Sequence, residues 1–319
     1  MARILLFGYY GFGNFGDELL LASIKQNLSD HDLTVVSGNC EHTEKLHQLK
    51  AISRKQFWLN PGSYDLFLVG GGSILQNTTS NRSLIYYLGA VKRAQQLGMD
   101  VYLMAQGLGP LKGIWPQMAL KSLKGIPLTV RDKQSLTIAQ NCGLEAELVA
   151  DLALSYSNYP LKKQGKTIGI ALRDELGFNF FSQLDWLLDD NKEIRLFAFH
   201  NKDYELCLKV ARLLPNAHSV KMEKLQDLEY FSDLELLWGM RLHSLIVATA
   251  MGIPALGISY DPKVTAFCEE AGLSWHLPGI MPKKEWFRSG DSGILIKRSE
   301  TAWQLFRSYT KAGTSGHSI

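Results

Sequence analysis

The sequence predicts an α/β protein of two doubly wound domains, each with a parallel sheet covered by helices on both faces. Three observations predict it. Short Val/Ile/Leu-rich runs alternate with longer helix-like stretches along the whole chain, and continuous apolar strands separated by helices mark buried parallel sheets. The 319 residues exceed one typical core, so two domains of about 150 residues each are expected. Glycine-rich and cation-bearing motifs also fall where such strands end, the place where open parallel sheets bind ligands.

In the first domain, residues 1–157, strands are expected at Arg3–Phe7, Leu33–Val36, Asp65–Val69, Val101–Ala105, Pro127–Val130 and Glu147–Ala150. Helical patterns lie between them near Asp17–Leu28, Arg82–Leu97, Trp115–Leu123 and Asp132–Asn141. In the second domain, residues 158–319, strands are expected at Thr167–Ala171, Ile194–Phe199, Leu234–Leu237 and Ala255–Ile258. Helices are expected at Phe180–Asp189, Asp203–Leu213, Leu242–Met251 and Pro262–Ala271. Ser155–Lys166, with Asn158, Pro160, Gly165 and three lysines but no apolar period, reads as the linker. The tail Ala312–Ile319, rich in small and polar residues, is expected to fray. Both halves are thus Rossmann-like, and two such domains facing across a cleft would be GT-B-like in arrangement.

Composition narrows the function classes. Hydrophobic residues make up 46% and charged residues 20%, ordinary for a globular chain. The net charge of +3 comes without a dense Lys/Arg run, so no general nucleic-acid affinity is expected. Cys40, Cys142, Cys207 and Cys268 stand alone without CxxC spacing, which argues against a zinc site and a disulfide framework and fits a reducing cytoplasm. Met1–Gly8 has no signal-peptide features, and no run of ~18 apolar residues is present to span a membrane. Peripheral attachment at the inner face of a membrane stays open, as does the oligomeric state.

After the first strand comes Gly8-Tyr9-Tyr10-Gly11-Phe12-Gly13-Asn14-Phe15-Gly16-Asp17-Glu18. Gly11, Gly13 and Gly16 satisfy the dinucleotide fingerprint. Against that reading, the second strand ends in Val36-Ser37-Gly38-Asn39, with no acid for a ribose hydroxyl. Asp17 and Glu18 also occupy the helix start, where carboxylates suit the dipole but repel a phosphate. Asn14, Asp17 and Glu18 can instead accept hydrogen bonds from sugar hydroxyls, with Asp17 or Glu18 as the candidate base. Simple capping by Asp17 is the competing account. A second loop, Gly70-Gly71-Gly72-Ser73, follows another strand. Three consecutive glycines cost conformational entropy, so something approaches this backbone closely, either a ligand or the neighbouring glycine loop. Gly71 and Gly72 are therefore further candidates for acceptor contact. Gln106-Gly107-Leu108-Gly109 ends the next strand.

Cations mark three other strand ends. Arg131 opens Arg131-Asp132-Lys133-Gln134-Ser135 and either points to a ligand or pairs with Asp132 at the surface. Arg241 and His243 follow Leu236-Leu237-Trp238-Gly239-Met240 at the start of an apolar helix, a position already disposed to bind anions. Two potential cations against a helix N-terminus are unfavourable alone, and an anionic ligand offsets that cost. Lys263 follows Pro262 in Gly257-Ile258-Ser259-Tyr260-Asp261-Pro262-Lys263, another first turn.

Together these motifs, with Val149-Ala150-Asp151-Leu152-Ala153, resemble the polysaccharide pyruvyltransferase family, especially its CsaB-like branch acting on cell-surface polymers. They span roughly residues 4 to 272; each is weak alone, and their order is specific. The resemblance implies a GT-B-like fold, phosphoenolpyruvate as donor substrate, and a cyclic pyruvate ketal on a sugar of a cell-surface or secondary cell-wall polysaccharide or its lipid-linked precursor. It maps Arg131, Arg241, His243 and Lys263 onto donor-holding positions, and the residues themselves agree. Arg clamps a carboxylate or phosphate through parallel hydrogen bonds, Lys acts as a point charge, and His243 can bind phosphate or serve as general acid. The first domain is then the acceptor side and the second the donor side. No DxD pair stands in a suitable loop, so no metal is expected to be required; with phosphoenolpyruvate as donor substrate, no cofactor is expected either. Two other readings compete: a GT-B glycosyltransferase using a sugar nucleotide, and a non-catalytic dinucleotide-binding module.

Overall fold

The computed structural model describes residues 1–78, 80–173, 192–214 and 216–315. The chain separates into two compact units. Met1–Phe12, Leu20–Tyr156 and Leu295–Ile319 form the first; Gly13–Leu19 and Ser157–Ile294 form the second.

The first unit carries a seven-stranded sheet in the order β3-β2-β1-β4-β5-β6-β7. Its strands are β1 (Arg3–Phe7), β2 (Asp32–Ser37), β3 (Lys50–Ser53), β4 (Leu66–Gly70), β5 (Asp100–Gln106), β6 (Leu128–Val130) and β7 (Glu147–Leu148), and every pairing is parallel. β1 from Ile4 onward and the whole of β4 are apolar and buried because helices cover both faces. Those helices are α1 (Phe15–Asn27), α2 (Cys40–His47), α3 (Arg54–Leu59), α4 (Asn81–Gln96), α5 (Ile114–Leu120) and α6 (Lys133–Asn141). Short polar side chains start them: Ser53 Oγ accepts from Gln56 N–H at 3.1 Å, Ser80 from Ser83 N–H at 3.1 Å, and Asp132 from Ser135 N–H at 2.7 Å. Phe7, Phe57 and Phe67 meet at ring separations of 5.1–5.5 Å in the core beneath α3 and α4.

The second unit holds a six-stranded parallel sheet in the order β10-β9-β8-β11-β12-β13. The strands are β8 (Thr167–Ala171), β9 (Ile194–Ala198), β10 (Ala217–Lys221), β11 (Leu234–Gly239), β12 (Ala255–Ile258) and β13 (Ser274–His276). Its described helices include α7 (Asn201–Ala211), α8 (Leu242–Ala250) and α9 (Pro262–Ala271), the last ending at Gly272 in the left-handed conformation at φ 69. The final helix, α10 (Ser292–Ser315), returns to the first unit from Leu295 onward. There the Trp303 indole N–H donates to Ser155 Oγ at 2.8 Å, and Phe306 packs edge-on against Tyr102 at 5.3 Å.

The expected fold class is observed: two parallel sheets flanked by helices. Elements that the sequence did not announce are mostly edge strands and short helices. β3, β10 and β13 lie at or beside sheet edges, and Lys, Ser or His interrupts their apolar pattern. The expected helix Phe180–Asp189 lies outside the described residues. The tail expected to fray from Ala312 is helical as far as Ser315.

Both sheets reverse winding direction once, between β1 and β4 in the first and between β8 and β11 in the second. At such a switch point two neighbouring strands send their loops in opposite directions, leaving room for a ligand. The glycine loops after β1 and β4 flank the first switch point. Arg241, which follows β11, flanks the second.

One buried histidine ties the second core to pH. His276 Nε2 accepts from the Trp238 indole N–H at 2.9 Å, so its Nδ1–H donates to Leu277 O at 2.8 Å. Burial pushes its pKa below the ordinary value, opposed by the Leu277 bond. The unfolded chain therefore takes up this proton first as pH falls through about 6.5. Stability is full above that value and declines as pH drops toward the lower folded pKa, by up to about 1.4 kcal/mol per pH unit for this site. Melting temperature is expected to fall between about pH 6.5 and 5, and His276→Gln to flatten that fall. An identical pH profile in the variant would exclude His276 as its source.

Candidate functional site

The second switch point is built from β8, β11 and β12. Ala171 of β8 pairs with Gly239 of β11, which pairs with Gly257 of β12, so three loops leave the sheet side by side. They carry Arg173, then Arg241 and His243, then Tyr260 to Lys263.

Arg241 sits at the N-cap of α8 in extended conformation, φ −82 and ψ 122, and no side chain caps that helix. Its guanidinium grips Asp203 with two bonds, Nε to Oδ2 at 2.9 Å and Nη2 to Oδ1 at 2.5 Å. Asp203, wholly buried in the first turn of α7, also accepts from His200 N–H at 3.1 Å. A carboxylate held at both oxygens fixes the arginine plane, and the Nη1 edge is not used by Asp203. The backbone N–H groups of α8 add positive potential beside it.

Arg173 donates to Tyr260 Oη at 2.5 Å, with its guanidinium 4.8 Å from the centre of that ring. Lys263 lies 3.2 Å from Asp261, whose other oxygen accepts from Lys263 N–H to cap α9. Asp261 thus removes part of the unfavourable charge that a lysine brings to a helix start. The pKa of His200 is held below its ordinary value first by burial, then by Arg241, Lys202 and Arg173, against Asp203. Its Nδ1 accepts from Lys202 N–H at 3.2 Å, so the ring is neutral and caps α7. Positive potential at this end of the sheet is therefore felt by a group that does not itself carry charge.

The segment Gly13–Leu19, which includes the start of α1, also belongs to this unit, while the rest of α1 belongs to the first. The sequence places it with residues 1–157; tertiary contacts place it here. Phe15 N–H donates to Phe199 O at 2.8 Å, the Phe15 and Phe199 rings meet edge-on at 5.6 Å, and Asn14 bridges to His200. A Cβ on Gly16 would lie 2.1 Å from His243 Nδ1 and 2.4 Å from its Cγ. Only glycine lets the imidazole rest there. Asn14 forms the cap: its carbonyl accepts from the Asp17 and Glu18 N–H groups, and its Oδ1 from Gly16 N–H at 3.3 Å. Its amide in turn donates to the Asp17 carboxylate. Asn14, Asp17, Glu18, Arg241, His243 and Lys263 thus belong to one unit.

Arg131, Gly71 and Gly72 belong to the first unit. Arg131 is buried, not at the surface. Nη1 donates to Asp151 at 2.9 Å and Nη2 to Ser73 Oγ at 2.6 Å, while Nε stands 3.5 Å from Asp132. It ties the loop after β4 to those after β6 and β7. The close approach expected at the triple glycine is by the neighbouring loop in the case of Gly70: Tyr10 Oη donates to Gly70 O at 2.7 Å, and a Cβ there would meet Ile24 at 2.4 Å. Gly71 and Gly72 take φ of 73 and 82, which L side chains rarely adopt.

Sequence reasoning missed Asp203, His200 and Arg173. A weak signal existed for each: Arg173 stands two residues beyond β8, and His200-x-x-Asp203 is spaced as a capping box after β9.

Several solved structures share the architecture. Anabaena Alr3699/HepE in complex with UDP-glucose has a TM-score of 0.60 at 12% identity, covering 98% of this chain and 100% of that one. A putative UDP-N-acetylglucosamine 2-epimerase from Listeria monocytogenes has a TM-score of 0.60 at 12% identity, covering 95% and 88%. The UDP-GlcNAc 2-epimerase from Neisseria meningitidis bound to UDP-GlcNAc scores 0.58 at 13% identity, covering 96% and 92%. At these identities the likeness is one of fold, two Rossmann-like domains of the GT-B kind. No curated protein matches the sequence. The family model for polysaccharide pyruvyl transferase matches residues 14–262, from the Asn14 turn through α8 to the Pro262 start of α9. The chain therefore belongs to the polysaccharide pyruvyl transferase family.

Proposed function

We propose that the chain transfers the pyruvyl group of phosphoenolpyruvate to a sugar of a cell-surface or secondary cell-wall polysaccharide, or of its lipid-linked precursor, forming a pyruvate ketal and releasing phosphate. The observation that carries this reading is Arg241, fixed by buried Asp203 beside the start of α8, with His243 in the same turn. Phosphoenolpyruvate bears a carboxylate and a phosphate, and a fixed guanidinium, an α-helix N-terminus and Lys263 suit two anionic groups on one small molecule. Arg131, Gly71 and Gly72 lie in the first unit, and we assign no step to them.

In this mechanism His243 delivers a proton to the donor methylene, leaving an oxocarbenium-like centre at the second carbon. A first sugar hydroxyl adds there and gives up its proton to Asp17 or Glu18. The bond from that carbon to the phosphate oxygen breaks, and a second hydroxyl closes the ketal. In net balance one hydroxyl proton ends on the new methyl group and the other on phosphate. Arg241, Lys263 and the α8 N–H groups stabilise the charge developing on the departing phosphate, the largest expected contribution. No step requires a cofactor, and the substrates place the enzyme on the cytoplasmic side of the membrane.

The fold neighbours crystallised with UDP-sugars motivate one rival, sugar-nucleotide glycosyl transfer. Thermal shift separates the two. Phosphoenolpyruvate at 100 times its dissociation constant is expected to stabilise the protein by about 2.7 kcal/mol, with no shift from UDP-sugars or NAD(P). Arg241→Lys keeps a cation against Asp203 but removes the fork, and Lys263→Ala removes a point charge. Each is expected to weaken donor binding by about 1.5–3 kcal/mol. Wild-type donor affinity in both variants by calorimetry would dispose of the assignment.

A further inference from the structure

The overall charge of +3 conceals a strong asymmetry. Residues 45–130 contain ten Lys/Arg and only two acids, Asp65 and Asp100. Asp65 is paired with Arg3, and Asp100 starts β5. The same stretch supplies α3, α4 and α5, which contribute Phe57, Leu84, Tyr87, Ala90 and Leu120 to one core. Their outer surfaces therefore face away from the same side of the sheet. Trp58 joins α3 to α4 by an edge contact with Tyr86 at 5.8 Å.

That outer surface is not polar. Ile114, Trp115 and Met118 form an exposed stripe on α5, with 76%, 44% and 62% of their surface open, while Pro116 and Leu120 turn inward. Ile85 on α4 and Leu59 on α3 are also more than half exposed. Between and beside them stand exposed Lys55, Arg82, Lys92, Lys112, Lys121 and Lys124, with no acid on any of the three helices. Large apolar groups left in water are a liability unless something covers them. Cations alone would fit a nucleic acid but would leave Ile114 and Met118 unexplained. A second copy of the chain would bring like charges together.

We propose that the α3–α4–α5 face of the first unit docks on an anionic phospholipid bilayer. Trp115, Ile114 and Met118 enter the headgroup–acyl boundary, and the lysines and Arg82 meet the lipid phosphates. The contact is interfacial, since no helix among the described residues is long and apolar enough to cross a membrane. Docking holds the enzyme where a lipid-linked sugar would be presented. The inference rests on exposure and charge, not on the donor assignment, and the two are measured separately.

The test is flotation of the full chain with vesicles of phosphatidylcholine alone or with added phosphatidylglycerol. Binding is expected only to the anionic vesicles, with release as salt rises. Trp115→Gln combined with Met118→Gln, and separately Lys112→Gln with Lys121→Gln and Lys124→Gln, should each lower partitioning by about tenfold or more. These side chains are exposed, so melting temperature and phosphoenolpyruvate affinity should not move. Absence of binding to anionic vesicles, equal binding to neutral ones, or partitioning indifferent to both variants would overturn the proposal. So would a lipid-independent dimer that the Trp115→Gln/Met118→Gln variant dissociates, which would assign the face to a second copy.

Discussion

His243→Gln is expected to lower turnover by ~100–10,000-fold while phosphoenolpyruvate affinity changes far less. The imidazole rests on Gly16, where no Cβ would fit, and stands in the first turn of α8 next to the fork of Arg241 and Asp203. Its place is thus set by backbone on one side and helix geometry on the other. Gln retains hydrogen-bonding capacity but cannot deliver a proton to the donor methylene. Turnover at saturating substrates, read beside the calorimetric affinity for the donor, separates the two roles. Gly16→Ala is expected to reproduce the defect, because its new methyl group would displace the same ring. Near-normal turnover with an unchanged pH–rate profile in His243→Gln would leave His243 as a binding residue only.

The site was legible in sequence to the extent that its chemistry lay at strand ends. Arg241, His243 and Lys263 could be located because β11 and β12 are continuous apolar runs, and such runs give away where the ligand-facing loops begin. Their partners could not. Asp203 grips Arg241 across 38 residues, and nothing in the local pattern of α7 distinguishes that acid from an ordinary first-turn carboxylate. Arg131 shows a partner that the local pattern leaves out. A cation at a strand end reads as ligand-facing, yet Asp151, 20 residues onward, draws its guanidinium into the interior. The Asn14–Glu18 turn is the clearest case of tertiary override. Chain continuity assigns it to the first half, while Phe15 against Phe199 and Gly16 against His243 assign it to the second unit. Edge strands were lost for a simpler reason: β10 buries none of its residues deeply, so it lacks the apolar run that made β8 visible. The basic and apolar face of α3–α5 was open to segment-wise charge counting but invisible in the total.

Asp17→Asn is expected to reduce turnover by ~100-fold or more at saturating acceptor, the low end of what a general base contributes, with melting temperature and donor affinity nearly unchanged. The cap of α1 is Asn14, whose carbonyl and side-chain oxygen take the N–H groups of Asp17, Glu18 and Gly16. Asp17 is therefore not needed for that task. Its carboxylate receives the Asn14 amide, and an asparagine at position 17 can still present a carbonyl oxygen to that donor. What disappears is the negative charge. Against the helix dipole the loss is worth ~0.3–1 kcal/mol, a small change in melting temperature. For a sugar hydroxyl giving up its proton, the same loss removes the base. If the substitution left turnover near normal at saturating acceptor, Asp17 would be confined to organising the loop. Glu18, buried one residue on in the same acidic turn, would then be the carboxylate to replace. The two variants thus divide the acceptor chemistry between neighbouring residues whose backbone N–H groups share one carbonyl.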